Sequence, residues 1–292
     1  MSENNNTGRN AMISLSHTRA QLELLPELGG AIGRLTHKGR DVLRVTPEGA
    51  DDVLQTACFP LVPFCNRIRD GRFVFGGNEI RLKPNLGDHP HTLHGQGWRS
   101  QWSVTEARET RALLTYRHQA DEWPWDYEAT QLFELGAQGL RVWLSVRNLS
   151  LSPMPAGLGF HPYFNRTDKT QLKAQVSGVW LSDEDCLPVE WHAGRWQKDW
   201  GNGDKVSHDS LIDHCHTGFS GRVEISEGSK PVVSLRASPD CGWLHIYVPP
   251  GEDFFCAEPV NHMPDPFNHA NSGLRCLRPN EVAMVWMDLH FH

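Results

Sequence analysis

One carboxylate of the chain lies in a sequence setting that suits proton transfer. Glu258 follows the apolar run Phe254-Phe255 and precedes a loop that Pro259 and Pro264 hold open. Such a carboxylate is partly desolvated, and because burial disfavours its charged form, its pKa should rise towards the value that a general base needs. Glu258 is therefore the first candidate for a catalytic residue.

Two histidines and one arginine also have sequence neighbours that suggest a functional role. His94 lies in Leu-His-Gly-Gln-Gly-Trp at 93–98, His161 lies in Gly-Phe-His-Pro-Tyr-Phe-Asn at 159–165, and Asn66 and Arg67 precede Ile68. Glycine, proline and aromatic residues flank both histidines at the ends of apparent strands, where loops present functional groups. One carboxylate, two imidazoles and one guanidinium predict proton transfer on a neutral or weakly polar small molecule.

A metal site is an alternative that the histidine spacing offers. The closely spaced histidines are His89, His91, His94, His214 and His216. The last two would point to one face of a strand, and together with Glu258 they could build a cupin-like metal site in a β-barrel. However, 16 histidines among 292 residues give close pairs by chance, and His89-Pro90-His91 is typical of a surface loop. We therefore predict no metal, and the metal-dependent enzyme stays an alternative.

The elements that must position these residues have the pattern of β-strands. The chain has 26 glycines and 19 prolines spread along its length, which leaves little room for long helices. Apolar residues alternate with others from Leu140 to Val146, the period of a half-buried strand. Gly136-Ala-Gln-Gly139 predicts a hairpin between this strand and the strand at 127–135. Similar strands are predicted at 112–118, 221–226, 232–237, 243–248 and 282–289.

These patterns predict an all-β fold, a large antiparallel β-sandwich of stacked sheets. Residues 11–292 are expected to form a single β domain, and residues 1–10, which are polar and rich in asparagine, a disordered lead. The formal net charge of -7 argues against general binding to nucleic acid or to an anionic membrane. No apolar run approaches the ~20 residues that span a bilayer.

The cysteines and the N-terminus indicate the compartment. Seven cysteines are scattered through the chain without a C-x-x-C pair, which favours reduced thiols over a disulfide framework. The first ten residues contain no apolar segment of the kind that a secretory signal requires. Both observations predict a cytoplasmic protein.

With these residues in view, the chain resembles the aldose 1-epimerase (galactose mutarotase) family over nearly its whole length. Asn66-Arg67-Ile68 with Gly71 and Phe73 is similar to the family's N-R-I-x-x-G-x-F segment, and Leu93-His94-Gly95 to its L-H-G. The run from His161 to Asn165 is similar to H-x-Y-F-N, and Asp213-His214 to a D-H element. Glu258 falls where a late glutamate of the family precedes an N-x-P-D-like loop. Five fragments in the right order make the resemblance specific.

The resemblance implies a galactose mutarotase-like β-supersandwich, no cofactor, and interconversion of the α and β anomers of a free aldose. By position, Glu258 resembles the catalytic base, His161 the catalytic acid, and His94 the second histidine near the ring oxygen. Arg67 and Asp213 resemble residues that hold sugar hydroxyls, with Asn66 beside them. The implied partner is a small sugar, and the chain is expected to be a monomer or a homodimer.

The chain departs from the galactose enzymes at two places. The strand before the glutamate carries His245 where galactose mutarotases usually carry glutamine, so His245 is a further candidate for sugar binding. The late motif reads Glu-Pro-Val-Asn-His from Glu258 instead of a glutamate-threonine-glutamine form. These departures indicate a divergent bacterial-type subgroup. Two other readings stay open: an epimerase of a phosphorylated or other anionic sugar, since Arg67, Arg69 and Arg72 supply positive charge, and a sugar-binding domain without catalysis.

Overall fold

The computed structural model describes residues 12–207 and 209–292, so the predicted lead at 1–10 lies outside the described residues. Short strands follow one another through the described chain. The first half contains β1 (Ile13–His17), β2 (Ala20–Leu25), β3 (Ala31–His37), β4 (Arg40–Asp41), β5 (Cys58–Leu61), β6 (Arg67–Ile68), β7 (Arg72–Phe75), β8 (Asn78–Arg81), β9 (Thr92–Leu93), β10 (Ser103–Ala107), β11 (Arg111–His118), β12 (Tyr127–Gly136) and β13 (Gly139–Asn148). The second half contains β14 (Met154–Ala156), β15 (Gly159–Asn165), β16 (Thr170–Ala174), β17 (Gly178–Ser182), β18 (Pro188–Ala193), β19 (Asp204–Lys205), β20 (Ile212–Thr217), β21 (Arg222–Glu227), β22 (Lys230–Ala237), β23 (Trp243–Val248), β24 (Phe254–Val260), β25 (Arg275–Leu277) and β26 (Val282–Phe291).

Helical structure in the described residues is limited to single 3-10 turns at Val53–Gln55, Arg69–Gly71 and Gly97–Arg99. The described part of the chain holds no helix long and apolar enough to cross a membrane. Glycines and prolines therefore interrupt the chain as the sequence predicted, and the structure is built from strands and turns.

Two large antiparallel sheets form the fold, which confirms the predicted β-sandwich. The first sheet has 11 strands in the order β1-β2-β3-β5-β15-β24-β23-β20-β17-β18, with β4 beside β3. The second has nine strands in the order β10-β11-β12-β13-β26-β22-β21-β16-β19. The hairpin predicted at Gly136-Gly139 joins β12 to β13, and these two residues face each other in the register.

The main hydrophobic core lies between the two sheets. Alternate residues of each strand point into it because side chains along a strand alternate between its two faces. Strand β24 contributes Phe255 and Ala257, and β13 of the second sheet contributes Val142 and Leu144. All four side chains are fully or almost fully buried.

The opposite face of the first sheet carries a second, smaller cluster of buried residues. On β24 it contains Cys256 and Val260, which alternate with the core residues of the same strand. The segment with β9 and the 3-10 turn at Gly97–Arg99 covers this face, and among its buried side chains are Leu93 and Trp98. Glu258, His161, His245 and Asp213, which the sequence assigned to sugar chemistry, lie on this covered face.

Candidate active site

A single line of side chains crosses the covered face of the first sheet at right angles to its strands. Residues that stand directly opposite each other in antiparallel strands point to the same face. Pairs in the register link Phe59 to His161, Glu258 to His245, His245 to Cys215, Cys215 to Trp180, and Trp180 to Trp191. The pairs Gly159–Val260 and Tyr163–Cys256 enclose His161 and Glu258 between them. We call this line the site row: Phe59, His161, Glu258, His245, Cys215, Trp180 and Trp191.

Glu258 and His161 form a buried acid–base pair at the centre of the fold's covered face. The Nε2 atom of His161 lies 3.3 Å from the Oε1 atom of Glu258, and their side chains are 9% and 3% exposed. Burial raises the pKa of Glu258 to about 8. Burial, followed by the positive charge of His245, lowers the pKa of His161 to about 3. Near neutral pH the pair therefore holds one proton between an oxygen and a nitrogen.

Aromatic rings fix the position of His161. The ring of Phe59 stacks on it at a centroid distance of 4.4 Å, and the ring of Tyr163 stacks at 4.7 Å. These apolar neighbours exclude water, which is the physical cause of the lowered pKa. The Nδ1 atom of His161 is buried and has no hydrogen-bond partner among the described residues.

His94 reaches the same place from a turn that follows β9. The backbone N–H of Asn66 donates to its Nδ1 atom at 2.9 Å, so the proton of the neutral ring sits on Nε2. The backbone N–H of His94 donates in return to the carbonyl of Asn66 at 2.9 Å. Its ring meets that of His161 edge to face at 5.5 Å. Burial, followed by the charge of His161, lowers the pKa of His94 well below its ordinary value, so both imidazoles are uncharged at neutral pH.

Asn66 holds Arg67 beside the pair. The Oδ1 atom of Asn66 accepts from the backbone N–H of Arg67 at 2.9 Å and from its Nη1 atom at 3.3 Å. This leaves the buried Nε atom of Arg67 without a partner in the described part of the chain. The guanidinium acts on the pKa values of Glu258, His94 and Asp213, so its charge lies within the site. Asn66 thus orients Arg67 through its side chain.

Asp213 and His245 pair with each other. The Nε2 atom of His245 lies 2.5 Å from the Oδ1 atom of Asp213, across neighbouring strands. Burial opposes both charges, but the hydrogen bond and the opposite charge of the partner outweigh it. They raise the pKa of His245 well above its ordinary value and lower the pKa of Asp213. The pair is an ion pair at neutral pH, and the Nδ1 atom of His245 finds no partner within the described ranges.

The histidines of the metal hypothesis do not converge on Glu258. His214 and His216 alternate with Asp213 and Cys215, and they stand opposite Ile246 and Leu244, which belong to the core between the sheets. They therefore point to the other face of the sheet. The Nδ1 atom of His91 accepts from the backbone N–H of Asp70 at 3.0 Å, so of the three histidines at 89–94 it is His94 that faces His161. A cupin-like site built from these residues and Glu258 does not fit the structure.

A different set of side chains has the right types to hold a metal. The ligand atoms of His161, Cys256 and Glu258 lie within 4.8 Å of one another, and all three residues are buried. Burial, followed by the charge of Glu258, raises the pKa of the Cys256 thiol well above its ordinary value. Metals bind the thiolate, so a metal held here would have to displace the proton of this thiol.

Two residues close to the site were not among the predicted ones. Cys186 lies in the loop between β17 and β18, close enough to Asp213 to affect the pKa of that carboxylate. Nothing in its local sequence indicates this contact, because the two residues are far apart in the chain. Tyr163 supports His161, and its position two residues along the same strand could have predicted a place on the same face.

Comparison with known proteins identifies the family. A model of the family described as Aldose 1-epimerase matches residues 11–290. The chain belongs to the aldose 1-epimerase family. Among curated proteins, this family member is 32% identical to "Uncharacterized protein YphB" of Escherichia coli (strain K12) over 286 residues, which are 94% of this chain and 97% of that protein.

Solved structures of aldose 1-epimerase relatives show the same fold. A protein of Escherichia coli K12, assigned provisionally as an aldose 1-epimerase, superposes with a TM-score of 0.90 at 30% identity, covering 97% of this chain and 99% of that one. A galactose mutarotase-like protein of Clostridium acetobutylicum gives 0.84 at 22% identity over 96% and 94%. The galactose 1-epimerase of Lactobacillus acidophilus NCFM gives 0.79 at 16% identity over 98% and 96%. The galactose mutarotase-like architecture expected from the sequence is confirmed.

Proposed function

We propose that the protein interconverts the α and β anomers of a free aldose by opening and closing the sugar ring. The observation that carries the proposal is the buried pair of Glu258 and His161, which holds one proton across 3.3 Å. Mutarotation needs one group that accepts a proton and one that donates a proton, with no net change in protons. A carboxylate and an imidazole that share a proton supply both.

The reaction follows from this geometry in three steps. Before the first step the shared proton passes from Glu258 to His161, which leaves the carboxylate ionised and the imidazole protonated. Glu258 then takes the proton from the anomeric hydroxyl while His161 delivers its proton to the ring oxygen, and the C1–O5 bond breaks to give an open-chain aldehyde. Rotation about C1–C2 presents the other face of the carbonyl. The ring oxygen then attacks C1 and returns its proton to His161, and the new anomeric oxygen regains a proton from Glu258. Atoms and charges balance over the cycle.

Neighbouring side chains supply hydrogen bonds for the sugar. Three donors can serve a sugar. The described residues offer no acceptor to the Nε of Arg67 or to the Nδ1 of His245. The third donor is the Nε2 proton of His94, whose ring faces His161. We assign sugar hydroxyls as their acceptors, and the remaining carboxylate oxygen of Asp213 as an acceptor for one sugar hydroxyl. Asn66 contributes by holding Arg67 in place.

The arginines give an anionic sugar weaker support in the structure than in the sequence. Of the three arginines that suggested an anionic substrate, Arg69 is paired with Asp265 at 3.3 Å, and Arg72 is exposed on β7. Arg67 is left, and the ion pair of Asp213 and His245 adds no net charge. We therefore propose a neutral aldose as the preferred substrate.

The substitution Glu258→Gln tests the proposal, because it keeps the size of the side chain and removes its basic oxygen. Loss of a general base typically costs ~10²–10⁴-fold in rate. We expect kcat for freshly dissolved pure anomers of neutral aldoses, followed by polarimetry, to fall by about that factor. Glu224→Gln is the matched control, since Glu224 is exposed on the second sheet, and it should behave as wild type.

Two outcomes would contradict the proposal. A folded Glu258→Gln protein that keeps more than about a third of the wild-type kcat would show that Glu258 is not the base. Sugar binding by calorimetry with no acceleration of mutarotation by the wild type would indicate a binding domain without catalysis. From the sequence we further propose a cytoplasmic location. We also propose that the chain is a monomer or a homodimer, which gel filtration and light scattering can check.

A further inference from the structure

The site row does not end at the acid–base pair. From Glu258 it continues through His245 and Cys215 to Trp180 and then to Trp191 on β18, the edge strand of the first sheet. Because these residues face each other in the register, their side chains point to the same covered face as the carboxylate. The distances follow from the spacing of about 4.8 Å between neighbouring strands, which puts Trp180 roughly 14 Å and Trp191 roughly 19 Å from Glu258.

The two tryptophans form a partly open aromatic surface at the end of the row. The side chain of Trp191 is 48% exposed although the residue belongs to a sheet. A Cβ atom at Gly178, on the adjacent strand, would lie 2.8 Å from its Nε1 atom. Because Gly178 has no side chain, the indole of Trp191 has room to lie against the sheet at this position. Trp180 is partly buried, and the ring of His269 meets it edge to face at 5.3 Å.

Two segments enclose this end of the row on either side. On one side the chain from 261 to 273 passes close to the row, since Gly273 abuts the indole of Trp243 and His269 abuts Trp180. On the other side lies the loop that follows Ser182, the last residue of β17, whose hydroxyl donates to the carbonyl of Asp213. The row thus runs between these two segments from the acid–base pair to the edge of the sheet.

The direction of the row matches the direction in which a bound sugar would extend. In the proposed function the anomeric carbon lies at Glu258 on β24, and hydroxyls on the far side of the ring reach Asp213 on β20, two strands along. The next strand in the same direction is β17, which carries Trp180. A substituent on the far side of the ring would therefore lead towards the tryptophans. One sugar ring at Glu258 is too short to reach them.

We propose that the surface formed by Trp180 and Trp191 binds the second and third units of a neutral oligosaccharide whose reducing-end sugar is epimerised at Glu258. The proposal rests on the proposed function. Flat indole faces pack against the apolar C–H faces of sugar rings, and neither tryptophan carries charge to select an anion. Contacts with the two tryptophans make the reducing end of a short glycan a better substrate than the corresponding monosaccharide.

The test compares Trp191→Ala with wild type on glucose, on the disaccharides maltose and cellobiose, and on the trisaccharides maltotriose and cellotriose. We expect kcat/KM of the wild type to be higher for at least one trisaccharide than for glucose. Trp191→Ala should leave the values for glucose within two-fold and raise KM for that trisaccharide by about five- to ten-fold, the size of one aromatic contact. Its kcat should stay unchanged, since Trp191 is remote from the reacting atoms.

Trp196→Ala is the matched control. Trp196 is also exposed, at 39%, and it follows the same hairpin. Its ring packs on His192, which alternates with Trp191 and so points to the other face of the edge strand. This variant should resemble wild type on every sugar.

Three results would overturn the inference. The first is an unchanged KM for the trisaccharides in Trp191→Ala, and the second is an equal loss of kcat/KM for glucose and for the trisaccharides. The third is a change in the sedimenting mass alone, which would make the tryptophans a contact between copies of the chain. If the wild type accelerates mutarotation of no sugar, the proposed function fails separately. Calorimetric titration of wild type and Trp191→Ala with maltotriose and cellotriose then still decides whether the tryptophans bind glycans.

Discussion

At the scale of single residues, the chemistry depends on where one proton sits. The pKa of Glu258 is raised to about 8 and that of His161 is lowered to about 3, both chiefly through burial. Between these values the pair holds one proton, which is the form that can accept a proton at one atom while it donates one at the other. Below this range both groups are protonated, and above it neither is.

This proton inventory predicts the pH dependence of the rate. We expect kcat/KM to be flat through neutral pH and to fall above an apparent pKa of about 8, as the pair loses its proton. Initial rates of mutarotation between pH 5 and pH 9.5, corrected for the buffer-catalysed reaction, measure it. A kcat/KM that instead rises through pH 8 to a plateau would mean that Glu258 works as an isolated base and that His161 contributes no proton.

At the scale of elements, the turn at His94 and Gly95 connects backbone geometry to the site. Gly95 has a φ of +73°, and a Cβ atom there would lie 2.6 Å from the carbonyl oxygen of Val62. We expect Gly95→Ala to destabilise the protein by about 2–4 kcal/mol, through the left-handed backbone and the clash with the neighbouring segment. Because the turn places His94, the surviving folded protein should also lose activity.

The control for this prediction is Gly76→Ala in the turn between β7 and β8. Gly76 has a φ of +58°, but no atom outside its own neighbours lies within 4 Å of the added carbon. Its cost should be limited to the backbone conformation, about 1–2 kcal/mol, with no change in kcat. Urea denaturation of the two variants separates the effects, and equal losses of stability would show that crowding at Val62 is unimportant.

Elements were also the level at which the sequence was most informative. Alternation with a period of two predicted β13 with bounds close to the observed ones, because one face of this strand is buried and the other is not. The apolar run from Trp243 to Val248 predicted β23 as well, although both faces of that strand are covered. The short motifs around His94, His161 and Glu258 predicted that these residues share a site, and the structure brings them together. Local pattern and motif order were sufficient for both conclusions.

The pairing of residues across strands could not be predicted in the same way. Asp213 and His245 were expected to act separately on a sugar, whereas the structure joins them in an ion pair. Which residues face each other depends on the register of β20 against β23, and a shift by one residue would turn either side chain to the other face. The contact of Cys186 with Asp213 has the same origin, because a loop and a strand meet only in the folded chain.

At the scale of the whole molecule, the buried carboxylate lowers the stability of the fold. Its folded-state pKa of about 8 exceeds the ordinary value of 4.5, so the folded protein holds this proton more tightly than the unfolded chain. Stability should therefore decrease as the pH rises from about 4.5, where the unfolded chain begins to lose the proton, and the decrease should end near pH 8.

Glu258→Gln should relieve this cost, because the amide stays neutral at every pH. Relative to wild type, we expect its free energy of unfolding to gain about 2 kcal/mol between pH 5 and pH 7, with the larger value at pH 7. Denaturant titrations of both proteins at several pH values measure the difference. A difference that is independent of pH would mean that Glu258 titrates in the folded protein near its ordinary value.

The alternation along β24 has a consequence for how such a protein can change over time. Phe255 and Ala257 belong to the core that holds the sheets together, whereas Cys256, Glu258 and Val260 belong to the covered face. Selection for a stable fold and selection for a sugar therefore act on interleaved but distinct positions of the same strand. A lineage can exchange residues of the second set and acquire a new substrate while the first set stays fixed. Insertion or loss of a single residue within the strand would instead turn the core side chains to the covered face and the site side chains to the core, so we expect such changes to be eliminated.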